Sequence, residues 1–451
     1  MIGPARVAAY DILMAVSAGR ADLPSAIALA RTALRDERDR ALAAEIAAGV
    51  QRWRGALDHL IVQFSKRPIA RLDAEIVEIL RLSAYQLLHL TRVPAAAVVD
   101  DAVNLAKRAG KTSASGLVNA VLRAVSRNRA ALPFPARPVD AGDRDAALEY
   151  LSVTLSHPRW LAARWLDRLG FDAAERWLQF NNTAAPLTLR ANRLRVTPED
   201  LAAQLRAEQV DTAPGAFAPD ALIVQSGHPL RGAALAQGLF IVQDEASQLV
   251  ALLAGDDPGR RVLDACASPG GKTTAIAARM GAGSLIVACD VRGRRVDLLH
   301  RTVAASGAQN VRIVQADLLE PLPFSPIFDC VLVDAPCSGL GTLRRDPDIK
   351  WRRRERDLAA LADAQRQMLS NAAAVVAPGG RLVYATCSSE PEENEAVADA
   401  FLRSTRGFET VDAREAAPRL PRAVVDARGH LRTQPHVHGL ETFFGAVFRR
   451  A

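Results

Sequence analysis

Asp264-Ala265-Cys266-Ala267-Ser268-Pro269-Gly270-Gly271-Lys272-Thr273-Thr274 follows the apolar run Arg261-Val262-Leu263 and leads into a helix-like segment. Strand, glycine turn and helix start, in that order, make an anion- or nucleotide-binding turn, because free helix N-terminal amides face the ligand. Two adjacent glycines let the backbone approach a bulky ligand closely. Gly271-Lys272-Thr273 imitates the end of a Walker A loop, but that loop needs a glycine where Cys266 stands. The segment therefore departs from the polyphosphate-loop pattern, and no G-x-G-x-x-G is present. Outward from this turn, apolar runs end at Asp264, Asp290, Asp317 and Asp334, with helix-like segments between most of them. Alternating strands and helices predict a doubly wound parallel sheet over 256–451 with ligands at the strands' carboxyl ends. Four aspartates on that edge point to a ligand site, since buried carboxylates are costly unless paired.

Asp290 is placed to accept hydrogen bonds from ribose hydroxyls, and Asp317, closing Val311–Ala316, to meet an adenine amino group. An adenosine ligand without polyphosphate fits, and S-adenosylmethionine is the expected cofactor. Two further motifs end strands of the same sheet. Asp334-Ala335-Pro336-Cys337-Ser338-Gly339 follows Cys330-Val331-Leu332-Val333, and Tyr384-Ala385-Thr386-Cys387-Ser388 follows Arg381-Leu382-Val383. Both put a cysteine over the crevice, whereas Cys289 and Cys330 read as core fillers. Zinc needs three or four closely spaced ligands and a redox pair is usually C-x-x-C, so no metal is expected and a thiolate nucleophile remains. A thiolate beside a methyl donor has a specific use. C5 of cytosine or uracil is too weak a nucleophile until a cysteine adds to C6 and turns the ring into an enamine. The site then needs a nucleophile, a hydrogen-bond partner at N3 and N4, and a group that assists release. Cys387, Asp334 and Cys337 can fill those roles in that order, although spacing alone does not decide between the cysteines.

The rest of the 451 residues sets the context. Hydrophobic residues at 49% and charged residues at 24% suit a globular chain of two or three domains. The five cysteines are an odd number, all beyond position 260, so disulfides do not organise the fold. No apolar run approaches the roughly 20 residues of a membrane helix, and the N-terminus lacks a signal-peptide layout, so a cytoplasmic protein without membrane attachment is expected. Net charge is +7 and almost all of the positive charge is arginine, compatible with a polyanionic partner. Residues 1–130 read as an all-α domain. Leu72, Ile76, Ile79, Leu80, Leu87 and Leu90 form one helical stripe, and further stripes span Val98–Ala109 and Leu117–Val125. The proline-rich stretch Leu132–Pro138 marks a linker at 131–142. Residues 143–255 read as short helices, with Trp160, Trp165 and Trp177 as packing anchors, followed by a small α/β subdomain. The latter comprises strand-like Leu187–Arg193, helix-like Pro198–Ala207 and strand-like Leu222–Gln225.

Residues from about Phe240 onward resemble the RNA 5-methylcytosine methyltransferases of the NOL1/NOP2/Sun (Fmu) family. The likeness lies in Gln243-Asp244-Glu245-Ala246-Ser247, Cys266–Lys272, Asp334–Gly339, Arg345-Asp346-Pro347-Asp348-Ile349-Lys350-Trp351 and Thr386-Cys387-Ser388. It implies a Rossmann-like catalytic domain with Cys387 as nucleophile, Cys337 assisting release, and Cys266, Ala267, Ser268, Pro269, Gly270, Gly271, Lys272, Asp290, Asp317 and Asp334 at the cofactor. Arg81–Leu88, Val93-Pro94, Asp101–Lys107 and Val118–Arg123 resemble the helical RNA-binding NusB fold. A NusB-like domain fused to such a catalytic domain is the architecture of bacterial 16S ribosomal RNA cytosine methyltransferases, so small-subunit ribosomal RNA is the expected partner of a monomer. Transfer RNA methylation and a non-catalytic NusB-like RNA-binding factor are the alternatives. One departure concerns the last strand, where Glu441-Thr442-Phe443-Phe444 replaces the usual Asp-Gly-Phe-Phe, a change expected to touch loop geometry and not the chemistry. Finally, Arg344, Arg345, Lys350, Arg352 and Arg353, continuing to Arg354 and Arg356, are expected to contact RNA phosphates.

Overall fold

Apolar positions three and four apart in the N-terminal third close into a helical bundle in the computed structural model, which describes residues 2–140, 142–281 and 283–451. The chain forms two compact units, Met1–Ala184 with Leu343–Glu355, and Ala185–Thr342 with Arg356–Ala451.

The first unit holds α1 (Pro4–Ser17), α2 (Leu23–Ala33), α3 (Glu37–Ser65), α4 (Ala74–His89), α5 (Ala95–Arg108), α6 (Ser115–Arg127), α7 (Arg144–Glu149), α8 (Arg159–Leu169) and α9 (Phe171–Asn181). Asp22, Asp36 and Asp143 cap α2, α3 and α7 by accepting first-turn amides. The stripe read at 72–90 is α4, with Ile76, Ile79, Leu80 and Leu87 buried, while Leu72 and Leu90 lie just outside the helix ends. α4 is buried on nearly every face, and its buried arginine finds its partners inside the bundle. Arg81 donates to Glu78 at 2.6 Å and forks onto both oxygens of Asp58 at 2.6 and 2.7 Å. The rings of Trp165 and Trp177 are buried and stack 5.0 Å apart, as packing anchors should, and Trp160 is half-buried. The linker is held down. His59 meets the Pro133 carbonyl at 2.7 Å, and the Thr154 hydroxyl donates to that of Pro135 at 2.7 Å.

The second unit begins with an antiparallel sheet of β1 (Thr188–Ala191), β2 (Asp211–Pro214), β3 (Ala221–Ser226) and β4 (Phe240–Val242), ordered β2-β3-β1-β4. Within this segment are α10 (Pro198–Ala207) and the short α11 (Ala233–Ala236). Leu201 and Leu205 of α10 share a core with Leu189, Leu222 and Phe240. Next come α12 (Glu245–Leu252), β5 (Arg261–Asp264), α13 (Gly271–Met280), β6 (Leu285–Asp290), α14 (Gly293–Ser306), β7 (Val311–Gln315) and β8 (Phe328–Asp334). A short α15 (Ile349–Arg352) lies in the excursion to the first unit. The chain returns as α16 (Asp357–Ala373), β9 (Val376–Thr386), α17 (Glu395–Ser404), β10 (Phe408–Val411), β11 (Leu431–Arg432) and β12 (Phe444–Arg450).

Its large sheet runs β10-β12-β9-β8-β5-β6-β7. The five strands from β9 to β7 are parallel, β12 runs antiparallel to them, and β10, antiparallel to β12, resumes their direction, so the doubly wound reading holds with one reversed strand inserted near the edge. Alternate strand residues enter separate cores, Val262 with Leu249 and Ile276, Leu263 with Leu369 and Tyr384. Strand order reverses on either side of β5, and the crevice there opens at the carboxyl ends of β5 and β8.

The 143–255 segment, read as one connector and subdomain, divides between the units at 184/185. Its helices α8 and α9 belong with the first bundle, and α12 packs its leucines into the core of the large sheet.

Two glycines give opposite expectations. A methyl at Gly49 in α3 would overlap the Tyr85 ring, whereas one at Gly116 in α6 meets open space. Gly49→Ala should destabilise the first unit by about 1–3 kcal/mol, and Gly116→Ala should stabilise it by up to about 1 kcal/mol, read from denaturant midpoints.

Candidate active site

The parallel ladder sets Asp264 of β5 beside Ala288 of β6 and Leu332 of β8, so Asp264, Asp290 and Asp334 crowd one sheet edge. Asp264 is buried, and its Oδ2 accepts from the Thr273 hydroxyl at 2.7 Å while Oδ1 has no hydrogen-bond partner. Burial, relieved in part by Thr273 and reinforced by Asp334, pushes its carboxyl up to about 7. Asp290 is buried and receives the Ser268 amide and Arg295 Nε, each at 3.2 Å. Arg295 Nη2 also donates to the Ser268 carbonyl at 2.8 Å, so the turn carrying Cys266 to Gly271 is tied to the β6 end. Ala267 joins it through its amide, 2.8 Å from the Cys289 carbonyl. Pro269 follows a cis peptide bond, and Gly270 has φ +105°, a conformation that favours glycine. Asp317 is exposed and caps its own turn through the Leu319 amide at 2.9 Å.

The small antiparallel sheet contributes to this turn. Buried Arg190 of β1 donates to the Gly271 carbonyl, to Gln243 Oε1 at 2.5 Å and to the Thr274 hydroxyl at 2.7 Å. Desolvation brings its guanidinium down to about 9. Sequence reading missed Arg190. Its only sign is an arginine inside a short apolar strand pattern, which a packing argument leaves unexplained.

Beyond Asp334 and Thr386, the adjacent parallel strands β8 and β9 release the two cysteine loops side by side. The Sγ atoms of Cys337 and Cys387 lie 3.1 Å apart as half-buried free thiols. The contact with Cys337 and burial together push the Cys387 thiol well above its ordinary value, against the pull of Lys272. Lys272 Nζ sits 2.6 Å from Asp334 Oδ2, and although burial disfavours the ammonium, this carboxylate keeps it charged. Cys266 lies in the glycine turn, where burial and the carboxylates of Asp264, Asp334 and Asp290 hold its thiol neutral. Cys289 and Cys330 are buried in the core as expected.

Main-chain bonds close the loops together. The Gly341 amide donates to the Cys387 carbonyl at 2.9 Å, and the Thr442 amide to the Gly341 carbonyl at 3.0 Å. The Glu441-Thr442 departure thus reaches the Cys387 loop through Gly341, and both residues are buried. Asn394, also missed, accepts from the Thr386 hydroxyl at 2.5 Å and donates to the Ser388 carbonyl at 3.0 Å. Glu392-Glu393-Asn394-Glu395 reads in sequence as a polar helix start and gives no sign of that duty.

The basic segment from Arg344 to Arg354 belongs to the first unit, not to the unit of the cysteines, and only Arg356 lies in the latter. Lys350 requires correction as a phosphate ligand. It is buried, and its Nζ donates to the carbonyls of Arg52 and Ser156, each at 2.7 Å. Burial, with Arg52 beside it, pushes this amine well below the usual lysine range. Arg344 is half-buried against Phe180 and donates to the Ala184 carbonyl at 2.8 Å, Arg345 and Arg353 are half-buried, and Arg352 is exposed while pairing with Asp348 at 3.0 Å.

A row of carboxylates holding an unpartnered buried acceptor, beside a glycine turn, suits a ligand with hydroxyl donors and positive charge and repels polyphosphate. S-adenosylmethionine meets that description through its ribose, ammonium and sulfonium groups.

Comparison with known proteins agrees with this architecture. Residues 250–449 match the family model of the 16S rRNA methyltransferase RsmB/F, residues 4–127 match the NusB family, and residues 157–231 match a ferredoxin-like domain of RsmF/B-like methyltransferases. The chain is 32% identical to a probable ribosomal RNA small subunit methyltransferase B of Bacillus subtilis, covering 92% of this chain and 91% of that one. It is 34% identical to the ribosomal RNA small subunit methyltransferase B of Pseudomonas putida, covering 92% and 93%. Among solved structures it is similar to PH0851, with TM-score 0.81 at 25% identity over 100% and 99% of the chains. A methyltransferase homologue from Pyrococcus horikoshii gives TM-score 0.58 at 26% identity over 68% and 99%.

Arg190→Ala frees the Gly271 carbonyl and Gln243 together. It should weaken S-adenosylmethionine binding by about tenfold or more in a calorimetric titration, the loss of a charge-assisted hydrogen bond.

Proposed function

The chain belongs to the 16S rRNA methyltransferase RsmB/F family, and on that footing we propose that it methylates C5 of a cytosine in small-subunit ribosomal RNA through a covalent cysteine adduct. The observation that carries this reading is the pair of thiols 3.1 Å apart at the ends of adjacent strands, beside the Lys272–Asp334 ion pair. S-adenosylmethionine, bound by Cys266–Lys272, Asp290, Asp317 and Asp334, supplies an electrophilic methyl group. Cys387 first loses its proton to solvent, the thiolate Sγ then bonds to C6 of the base, and the C5–C6 π electrons move onto C5, which becomes the nucleophile. Asp334 keeps Oδ2 on Lys272, and its other oxygen accepts from the N4 amino group, and from N3 once the ring is protonated there. C5 takes the methyl group as that group's bond to the donor sulfur breaks, the C5 proton then passes to solvent with Cys337 assisting, and the bond from Cys387 to C6 breaks by elimination. A stacked base enters such a pocket only after unstacking, which costs a few kcal/mol.

Mapping 5-methylcytosine by bisulfite sequencing in a deletion strain tests the substrate. One modified position should vanish from 16S rRNA, and loss confined to transfer RNA would overturn the assignment.

Cys387→Ala should abolish methyl transfer while S-adenosylmethionine still binds; normal turnover would remove the adduct from the mechanism. Cys337→Ala should accumulate a covalent protein–RNA species on a denaturing gel, and unchanged turnover without adduct would leave Cys337 no part in release. Because Cys387 holds its proton above the ordinary thiol range, the thiolate fraction grows with pH. The single-turnover rate should rise between pH 7 and 9, by up to about tenfold per unit.

A further inference from the structure

Cys337 and Cys387 are each followed by a serine, and one carboxylate holds both serines. Glu393 is fully buried. Its Oε1 accepts from the Ser338 amide at 2.8 Å and from Gln365 Nε2 at 3.0 Å, and its Oε2 accepts from the Ser388 hydroxyl at 2.5 Å. The two serine hydroxyls meet each other at 3.1 Å, and Gln365 Nε2 also holds the Pro336 carbonyl, one residue before Cys337, at 3.0 Å. Tyr384 of β9 completes the frame, with its hydroxyl 2.6 Å from the Glu393 carbonyl and 3.1 Å from Gln365 Oε1. All three donors to the carboxylate are neutral groups, an expensive way to bury a carboxylate. A frame needed only for folding could be built from apolar side chains. This one instead spends its hydrogen bonds on the residues adjoining each thiol.

We infer that Glu393 is a positioning residue that fixes the separation and direction of the Cys337 and Cys387 thiols by clamping Ser338 and Ser388. The inference rests on the reading that those thiols react. Glu393 touches neither thiol in the contacts above and acts through the backbone of one cysteine loop and the side chain of the other. Glutamine can take most of its place. The amide oxygen accepts from the Ser338 amide and Gln365, and the amide nitrogen donates to the Ser388 oxygen, whose own hydrogen turns away. Alanine can do none of this.

The test compares Glu393→Ala and Glu393→Gln in the full-length enzyme under saturating RNA and S-adenosylmethionine. Glu393→Ala should lower kcat by about 100-fold, the scale of a misplacement near 1 Å, with the calorimetric Kd for S-adenosylmethionine within about threefold of the parent. Glu393→Gln should recover kcat to within about tenfold of the parent, since it keeps the clamp. In a Cys337→Ala background, Glu393→Ala should slow the appearance of the covalent RNA adduct in the same proportion as kcat. Should Glu393→Ala fail to fold, Ser388→Ala removes one arm of the clamp and should lower kcat about tenfold at unchanged cofactor affinity. The inference is overturned if Glu393→Ala, or Ser388→Ala in its place, keeps kcat within twofold of the parent, or if cofactor affinity falls as far as kcat. Cys387→Ala separates the two levels. If it is inactive while Glu393→Ala is unimpaired, only the role of Glu393 fails; if Cys387→Ala turns over normally, the cysteine reading itself fails.

Discussion

The register between β8 and β9, with Asp334 opposite Ala385, is the constraint on which the rest of the site depends. It converts a separation of fifty residues along the chain into 3.1 Å between two sulfur atoms. Side chains alternate between faces with a period of two, so a slip of one residue would exchange every buried position of β9 between the two cores. Val383 lies in one core and Leu382 and Tyr384 in the other, and all three are buried, so the alternation fixes the register. Loops leaving adjacent strands at matched heights then have little choice but to meet. The Gly341 amide and the Cys387 carbonyl extend the pairing beyond the strands. A side chain at Gly341 would come within 2.6 Å of that carbonyl oxygen, which accounts for glycine there.

Electrostatics divide this edge into two regions of different character. Around the glycine turn, Asp264 and Asp290 make a negative surface in which the Cys266 thiol stays protonated. Lys272 stands at the boundary, neutralising Asp334 and lending its charge to Cys387. Two cysteines of one crevice are thereby set to different tasks. One packs in an acidic environment that suppresses thiolate; the other is also held protonated at rest, by Cys337 and by burial, but has an ammonium nearby that pulls the opposite way.

Periodicity and motif chemistry made the helical bundle, the doubly wound sheet and the positions of Cys337, Cys387, Asp264, Asp290 and Asp334 readable before any coordinates. Those features depend on local spacing, which one sequence carries. Arg190, Glu393 and Asn394 were not readable, because each acts on partners remote in sequence or from within a segment whose local pattern has a plainer meaning. Arg190 sits in a strand and reaches a turn 81 residues away, and Glu393 reaches Ser338 across 55. Lys350 shows the opposite error. Its neighbours are basic and suggest solvent and phosphate, yet its amine is buried and donates to two carbonyl groups of the helical unit. Charge type in a sequence says nothing of depth.

That enclosed lysine bears on how the chain is made. The segment Leu343–Glu355 belongs to the helical unit although it lies between β8 and α16 of the other. Trp351 Nε1 donates to the Gln51 carbonyl at 2.6 Å and Asp348 receives the Leu23 amide at 3.2 Å, so α2 and α3 both use partners from this segment. Translation proceeds from the N-terminus, and domains made early generally fold early. Here the first unit finds its last partners only after residue 355 of 451 has been synthesised. Its completion is therefore a late event in biosynthesis, and a fragment cut at the proline-rich linker would carry an unfinished surface where Lys350 and Trp351 belong.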